Sequence, residues 1–178
     1  GLETLAIFGQ GPVGLAATMF AKEMGARVIA VDISEERLFM AKTCGAWDMV
    51  NPKNGDVSEQ IKNLTGGLGC DSSLEAAGLA ETRIAAVEST KVFGKTCLVG
   101  EGGEVTYQPT PHIIHKHLTI LGSWTFSTFG LEEAAKFTSE RNIPLDSVIT
   151  SRSNIEEAPK AYKEFSKGAP GKFVINWN

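Results

Sequence analysis

The residues best placed to do chemistry in this chain are three glycines, Gly9, Gly11 and Gly14, and one acid, Asp32. Gly9 lets the chain turn sharply out of an apolar run, Gly11 has no Cβ to hold a pyrophosphate off the backbone, and Gly14 permits close helix-to-strand packing. Pro12 suits a first helical position, because the amide it lacks has no partner inside a helix there. The free amides and dipole of that helix then attract an anion. Asp32 is placed to accept hydrogen bonds from both hydroxyls of an adenosine ribose, and its charge repels a 2′-phosphate. The chemistry indicated is dinucleotide binding, with NAD rather than NADP as the cofactor; Gln10, Val13 and Ile33, which flank these positions, join the candidate set. A tight turn with no ligand is the other reading of the glycines. N-capping is the other reading of Asp32, although Ser34 already supplies a cap for a helix over 35–44.

Groups so spaced work only if strand, turn, helix and strand succeed one another, and the sequence supplies that order. Residues 4–8 form an apolar strand. Val13, Leu15, Ala16, Met19 and Phe20 recur at helical spacing over 13–24, Gly25 and Ala26 close that helix, and a β-branched run over 27–31 ends at Asp32. Further strands are predicted at 47–51, 70–75, 94–99 and 117–122, with helices at 57–64 and 80–90 between them. The pattern predicts an α/β fold, a Rossmann-type doubly wound six-stranded parallel sheet, with ligands beyond the carboxyl ends of its strands. Gly102, Gly103, Pro109 and Pro111 make 101–117 a loop, with a short extended piece at 105–107 and a turn of helix before His115. Past Gly122 the sequence predicts a helix at 131–141, a turn at 144–147 and a short strand at 148–150. A helix at 155–167 and a strand at 172–177 complete this carboxy-terminal helix-strand extension.

Composition narrows the function. Net charge is −4, with 42% hydrophobic and 21% charged residues, which is ordinary for a globular chain and gives no reason to expect nucleic acid. No apolar run is long enough to span a bilayer and no signal peptide begins the chain, so the expected setting is cytoplasmic. Cys44, Cys70 and Cys97 are scattered and fit buried thiols of a reducing compartment better than a disulfide or zinc site. His112, His115 and His117 fall in the loop with no cysteines near them. They read as solvent-facing, and neither a metal ligand nor a catalytic residue is assigned in this chain.

Six segments occur in a telling order: GQGPVGL from Gly9, VDISEERLFMAKTCGA from Val31, GGLGCDSSLEAAG from Gly66, KTCLVG from Lys95, LTILGSW from Leu118 and IEEAPKAYKEFSKGAPGKFVI from Ile155. Together they resemble the carboxy-terminal half of the medium-chain dehydrogenase/reductase superfamily, of the zinc-dependent alcohol, polyol or threonine dehydrogenase kind. The resemblance implies that Arg37 lies beside the ribose and that Ala76, Ala77 and Gly78 border the adenine side. It also implies that Val99, Gly100, Ser123 and Trp124 meet the nicotinamide carboxamide, and that Lys172 lies near the pyrophosphate. On their own terms Arg37 and Lys172 also read as solvated charges, and Val99 and Trp124 as core.

By the same resemblance the full enzyme moves a hydride between a small-molecule alcohol and NAD, with a catalytic zinc held by a GroES-like domain that is mostly amino-terminal. Zinc is therefore expected in the full enzyme but not in this chain, which reads as a fragment, inactive alone. Residues 1–124 form the NAD-binding domain, and 125–178 belong to the catalytic domain and are left partly without partners. A homodimer is expected through the strand at 118–124. Two other readings stand beside this one: a zinc-free quinone or enoyl reductase using NADPH, against which Asp32 argues, and a non-catalytic nucleotide-sensing module.

Overall fold

The computed structural model describes residues 3–177. Strands β1 (Thr4–Phe8), β2 (Arg27–Val31), β3 (Asp48–Val50), β4 (Cys70–Glu75), β5 (Thr90–Leu98) and β6 (Thr119–Gly122) form one parallel sheet. Its spatial order, β3-β2-β1-β4-β5-β6, is the doubly wound Rossmann order that the alternation of elements predicts. Between the strands run α1 (Pro12–Glu23), α2 (Glu35–Thr43), α3 (Val57–Leu64) and α4 (Ala80–Ser89).

Side-chain alternation along the strands builds two cores. Ile7 of β1 and Val28 and Ala30 of β2 pack with Leu15 and Met19 of α1 and Leu38 of α2 on one face. Ala6, Phe8, Ile29 and Val31 pack with Ile61 of α3 and Ala86 of α4 on the other. The central strands β1 and β2 are covered on both sides, which accounts for their continuous apolar character.

Register is what positions the site. Phe8 pairs with Val31 and Glu75, Glu75 with Leu98, and Leu98 with Gly122. The next residues, Gly9, Asp32, Ala76, Val99 and Ser123, therefore leave the sheet along a single edge. The chain crosses over from one side of β1 to the other between β3 and β4, so the crevice at β1 and β4 is the fold's switch point.

Several boundaries differ from the sequence reading. β5 starts at Thr90, directly after α4, and its pairing jumps from Cys70–Thr90 to Ser72–Lys95. Residues 91–94 bulge outward, with Phe93 exposed at φ 61°. No strand forms at 105–107, whereas the expected helical turn before His115 is present as one wide turn, Thr110–Ile114, with the His115 amide 2.9 Å from the Thr110 carbonyl. α5 (Thr128–Glu140) begins earlier than expected because the Ser127 hydroxyl caps the Gly130 amide at 3.0 Å. β7 (Ile149–Asn154) is longer than expected, and α6 (Ala158–Phe165) is shorter, starting only where Pro159 sits in a first-turn position. β7 pairs in parallel with β8 (Lys172–Asn176) in a separate two-stranded sheet. Part of the segment after β6 packs on α1: Ile143 is buried in its core and Phe137 stacks on Phe20 at 5.6 Å, while Phe126 and Phe129 stay more than 70% exposed.

Candidate functional site

Gly9 has φ +89°, and a Cβ there would lie 3.1 Å from the Ala77 amide nitrogen and Cβ, so glycine is required both by conformation and by the approach of 76–78. Its amide donates to Val31 O at 2.8 Å, tying the turn to β2. A Cβ on Gly14 would sit 1.8 Å from Gly9 O; this glycine serves α1-to-strand packing. Gly11 is different. Its φ is −72°, and a Cβ there would meet nothing within 4 Å. Protein packing makes no demand for glycine at this position, and what a side chain would fill is the space in front of α1. No side chain caps that helix end, so its first amides face the same space.

Asp32 is buried, and the backbone holds its carboxylate. The Gln10 amide donates to Oδ2 at 2.7 Å and the Ser34 amide to Oδ1 at 2.9 Å. Each oxygen keeps a second acceptor position for a ligand hydroxyl. Ser34 caps α2 through the Arg37 amide, 3.4 Å from its hydroxyl, so the cap and the acid have separate duties. The Arg37 guanidinium lies 3.8 Å from Asp32 Oδ2, and its Nη2 donates to Gly168 O at 3.1 Å. Arg37 is thus no free solvated charge; it bridges the acid and the loop before β8.

A cleft of about 300 Å³ opens between these groups. Gly9, Gly11, Asp32, Ile33, Arg37, Ala76 and Ala77 line it, all of them positions expected from the sequence. Val31, Pro52, Leu79 and Thr82 also line it and were not anticipated; Pro52 and Thr82 come from loop and helix positions that carry no periodic or motif signal. A larger groove of about 480 Å³ lies beside α3 and α4, and there Lys62 is paired with Glu59 and Lys91 with Asp71.

The remaining expected residues are arranged less uniformly. The Gln10 side chain points into the core, where Nε2 donates to Ile7 O and Oε1 accepts from Thr18. Pro12 starts α1 as expected, and Val13 is exposed on its first turn. Gly78 (φ +75°) packs backbone to backbone against 100–101: a Cβ on Gly100 would fall 2.3 Å from the Gly78 amide, and one on Gly78 2.0 Å from Glu101 O. The Val99 and Ser123 amides continue the sheet edge, donating to Glu75 O at 2.9 Å and Leu98 O at 3.1 Å. Trp124 is 76% exposed, with its indole donating to Glu101, so core packing is excluded for it. Lys172 is exposed at the start of β8, outside the cleft lining.

One expectation for the histidines needs correction. His112 is not solvent-facing: its side chain is largely covered, Nδ1 accepts from the Gln108 amide at 3.2 Å, and Nε2 lies 3.5 Å from Glu88. His117 is exposed but stacked on Phe93 at 4.6 Å. No group of three or more His, Cys, Asp or Glu side chains that could hold a metal ion exists among the described residues. Burial pushes the Cys70 thiol up to about 11, which leaves it a packing group rather than a nucleophile. No helix of the described residues is long and apolar enough to cross a membrane.

Residues 12–140 match the family model described as zinc-binding dehydrogenase. An uncharacterized zinc-type alcohol dehydrogenase-like protein of Escherichia coli, YphC, is 36% identical over 179 residues, covering 99% of this chain and 50% of that protein. L-threonine 3-dehydrogenase of Shewanella frigidimarina is 29% identical, covering 99% of this chain and 52% of its own. Among solved structures, an alcohol dehydrogenase from Thermotoga maritima superposes with a TM-score of 0.89 at 27% identity, covering 97% of this chain and 49% of that one. The chain spans about half the length of the curated relatives it matches. The strand order, the glycine turn at its switch point and the family match converge on one statement: this chain belongs to the zinc-binding dehydrogenase family.

Proposed function

We propose that the cleft holds NAD for an oxidoreductase that moves a hydride between an alcohol or polyol and the nicotinamide. The observation that carries this reading is the open space at Gly11, between an uncapped helix end and the buried Asp32 carboxylate. Gly11 leaves room for a diphosphate against the backbone, and Asp32 offers acceptor positions to the ribose hydroxyls. Bound NAD supplies the hydride chemistry; these residues bind and orient it. Among the described residues the histidines, cysteines and acids do not converge on a metal site, so no zinc step is routed through this chain's own residues. We assign 1–124 to cofactor binding and 125–178 to a catalytic domain, a division supported by the separate β7–β8 sheet. Unpaired thiols support a cytoplasmic setting.

Calorimetric titration of the chain with NADH and NADPH tests the reading. NADH is expected to bind and NADPH to bind more weakly by about tenfold or more, the loss of one charge-assisted contact plus repulsion. In Asp32→Gly the preference is expected to collapse. The ratio is the useful readout, because losing the Gln10 and Ser34 amide contacts weakens both ligands together. Equal affinity for the two cofactors in the unsubstituted chain, or no binding of either, would refute the assignment.

A further inference from the structure

Glu75 touches both backbone segments that border the nucleotide cleft and its far margin. Its side chain is fully buried, and Oε1 accepts from the amides of Ala77 and Gly78, each at 2.8 Å, and from the Thr82 hydroxyl at 2.7 Å. Its carbonyl accepts from the amides of Val99 and Gly100, both at 2.9 Å. One residue therefore fixes four amides, two on each segment. Arg83 completes the arrangement from α4: Nη2 donates to Gly100 O at 2.9 Å and Nη1 to Gly103 O at 2.7 Å, while Nε faces Glu75 Oε2 at 3.8 Å. Neither Nε nor Oε2 has a hydrogen-bond partner among the described residues, so each is the other's main electrostatic partner.

Such a pair is expensive to bury. Replacing a buried ion pair with apolar groups is often neutral or stabilising, so stability alone gives weak reason for it. What it provides here is direction. Gly78, Gly100 and Gly103 let the two segments meet backbone to backbone, with a Cβ on Gly103 falling 2.6 Å from Gly78 O. Glycine-rich segments without side-chain contacts have wide conformational freedom, and a fixed donor-acceptor fork restricts it. Ala76 and Ala77 line the cleft, and residues 99–103 leave the sheet on its β5 side.

We infer that Glu75 and Arg83 are positioning residues that set the cofactor-facing wall formed by 76–78 and 99–103, and that Arg83 sets its β5 side. This rests on the dinucleotide reading. On the dinucleotide reading the adenosine half of the ligand lies at Gly11 and Asp32, which share no hydrogen bond with Arg83, and the nicotinamide half extends across the switch point to the β5 side, where residues 99–103 leave the sheet. Loss of Arg83 therefore discriminates between the two halves of the ligand.

The test compares ADP with NADH, by calorimetry and by the fluorescence of the reduced nicotinamide, for the unsubstituted chain, Arg83→Met and Arg83→Lys. Arg83→Lys keeps a cation opposite Glu75 but cannot reach both the Gly100 and Gly103 carbonyls. NADH is expected to weaken about tenfold in both variants with a changed emission of the bound nicotinamide, while ADP stays within about twofold. Failure of the unsubstituted chain to bind either ligand defeats the dinucleotide reading itself. Given binding there, the positioning role is overturned if either variant holds NADH normally, if ADP and NADH weaken equally, or if neither variant folds, since the pair then serves the fold alone.

Discussion

Gly11 and Gly14 lie in the same turn and answer to different forces, which makes them a paired test at the scale of single residues. A Cβ at Gly14 would collide with Gly9 O at 1.8 Å, so Gly14→Ala must shift backbone and is expected to cost about 1–3 kcal/mol, read as a lowered denaturation midpoint. A Cβ at Gly11 meets nothing within 4 Å, and Gly11→Ala should leave the midpoint unchanged. In that variant NADH affinity is expected to fall about tenfold or more, because the methyl occupies the approach of the diphosphate to the backbone. A Gly11→Ala chain that binds NADH normally would show that the space in front of α1 is not the diphosphate site. Both glycines were legible as a motif, and the motif already assigns packing to Gly14 and ligand approach to Gly11; what the sequence does not disclose is the obstacle at Gly14, which depends on where Gly9 O points. Nor does it disclose that Asp32 holds the Gln10 and Ser34 amides, since backbone amides carry no residue-type signal.

At the scale of elements, β1 to β4, α1 to α3 and the strand order could be read from the chain because each carries a local signal: apolar or β-branched runs bounded by turn residues, helical spacing, and a cap such as Ser34. The parts that could not be read are those where tertiary contact overrides the local pattern. The early start of β5 depends on Thr90 pairing with Cys70, and while the helical turn before His115 is legible in the sequence, its wide form over Thr110–Ile114 is not. Asp71 shows such contacts joining three strands, β4 to β1 through Thr4 and to β5 through Lys91. Burial pushes its carboxyl up, but hydrogen bonds from Lys91 and from the amide and hydroxyl of Thr4 together outweigh burial and hold it at about 2. A carboxyl depressed on folding contributes stability that is present above its unfolded pKa and lost as pH falls through the folded one. The window here runs from about pH 4 down to about pH 2. Asp71→Asn is expected to cost about 1–2 kcal/mol at neutral pH, less than the full shift because the pair is partly in water. The cost should shrink to near zero below the window, as measured by urea midpoints at neutral and strongly acid pH; a cost independent of pH would assign the effect to lost hydrogen bonding instead.

For the whole molecule the two edges of the main sheet are unlike. β3 is three residues long, carries Asp48 and runs into Pro52, features that discourage pairing with another chain. β6 carries no charge, and its edge presents Leu121 at 47% exposure with Trp124 and Phe126 just beyond it, both more than 70% exposed. Two copies joined along β6 about a two-fold axis would continue the sheet and satisfy both edges. This arrangement makes self-association and cofactor binding separable. Leu121 lies in the strand and outside the cleft lining, so Leu121→Lys puts a charge on the edge without touching Gly11 or Asp32. The unsubstituted chain is expected to sediment as a dimer whose fraction rises with concentration, and Leu121→Lys as a monomer that binds ADP as before. A chain monomeric at high concentration would show that the β6 edge is covered in another way. A dimer that survives Leu121→Lys would move the interface to another surface, because a charge on an edge strand disfavours its pairing with another chain.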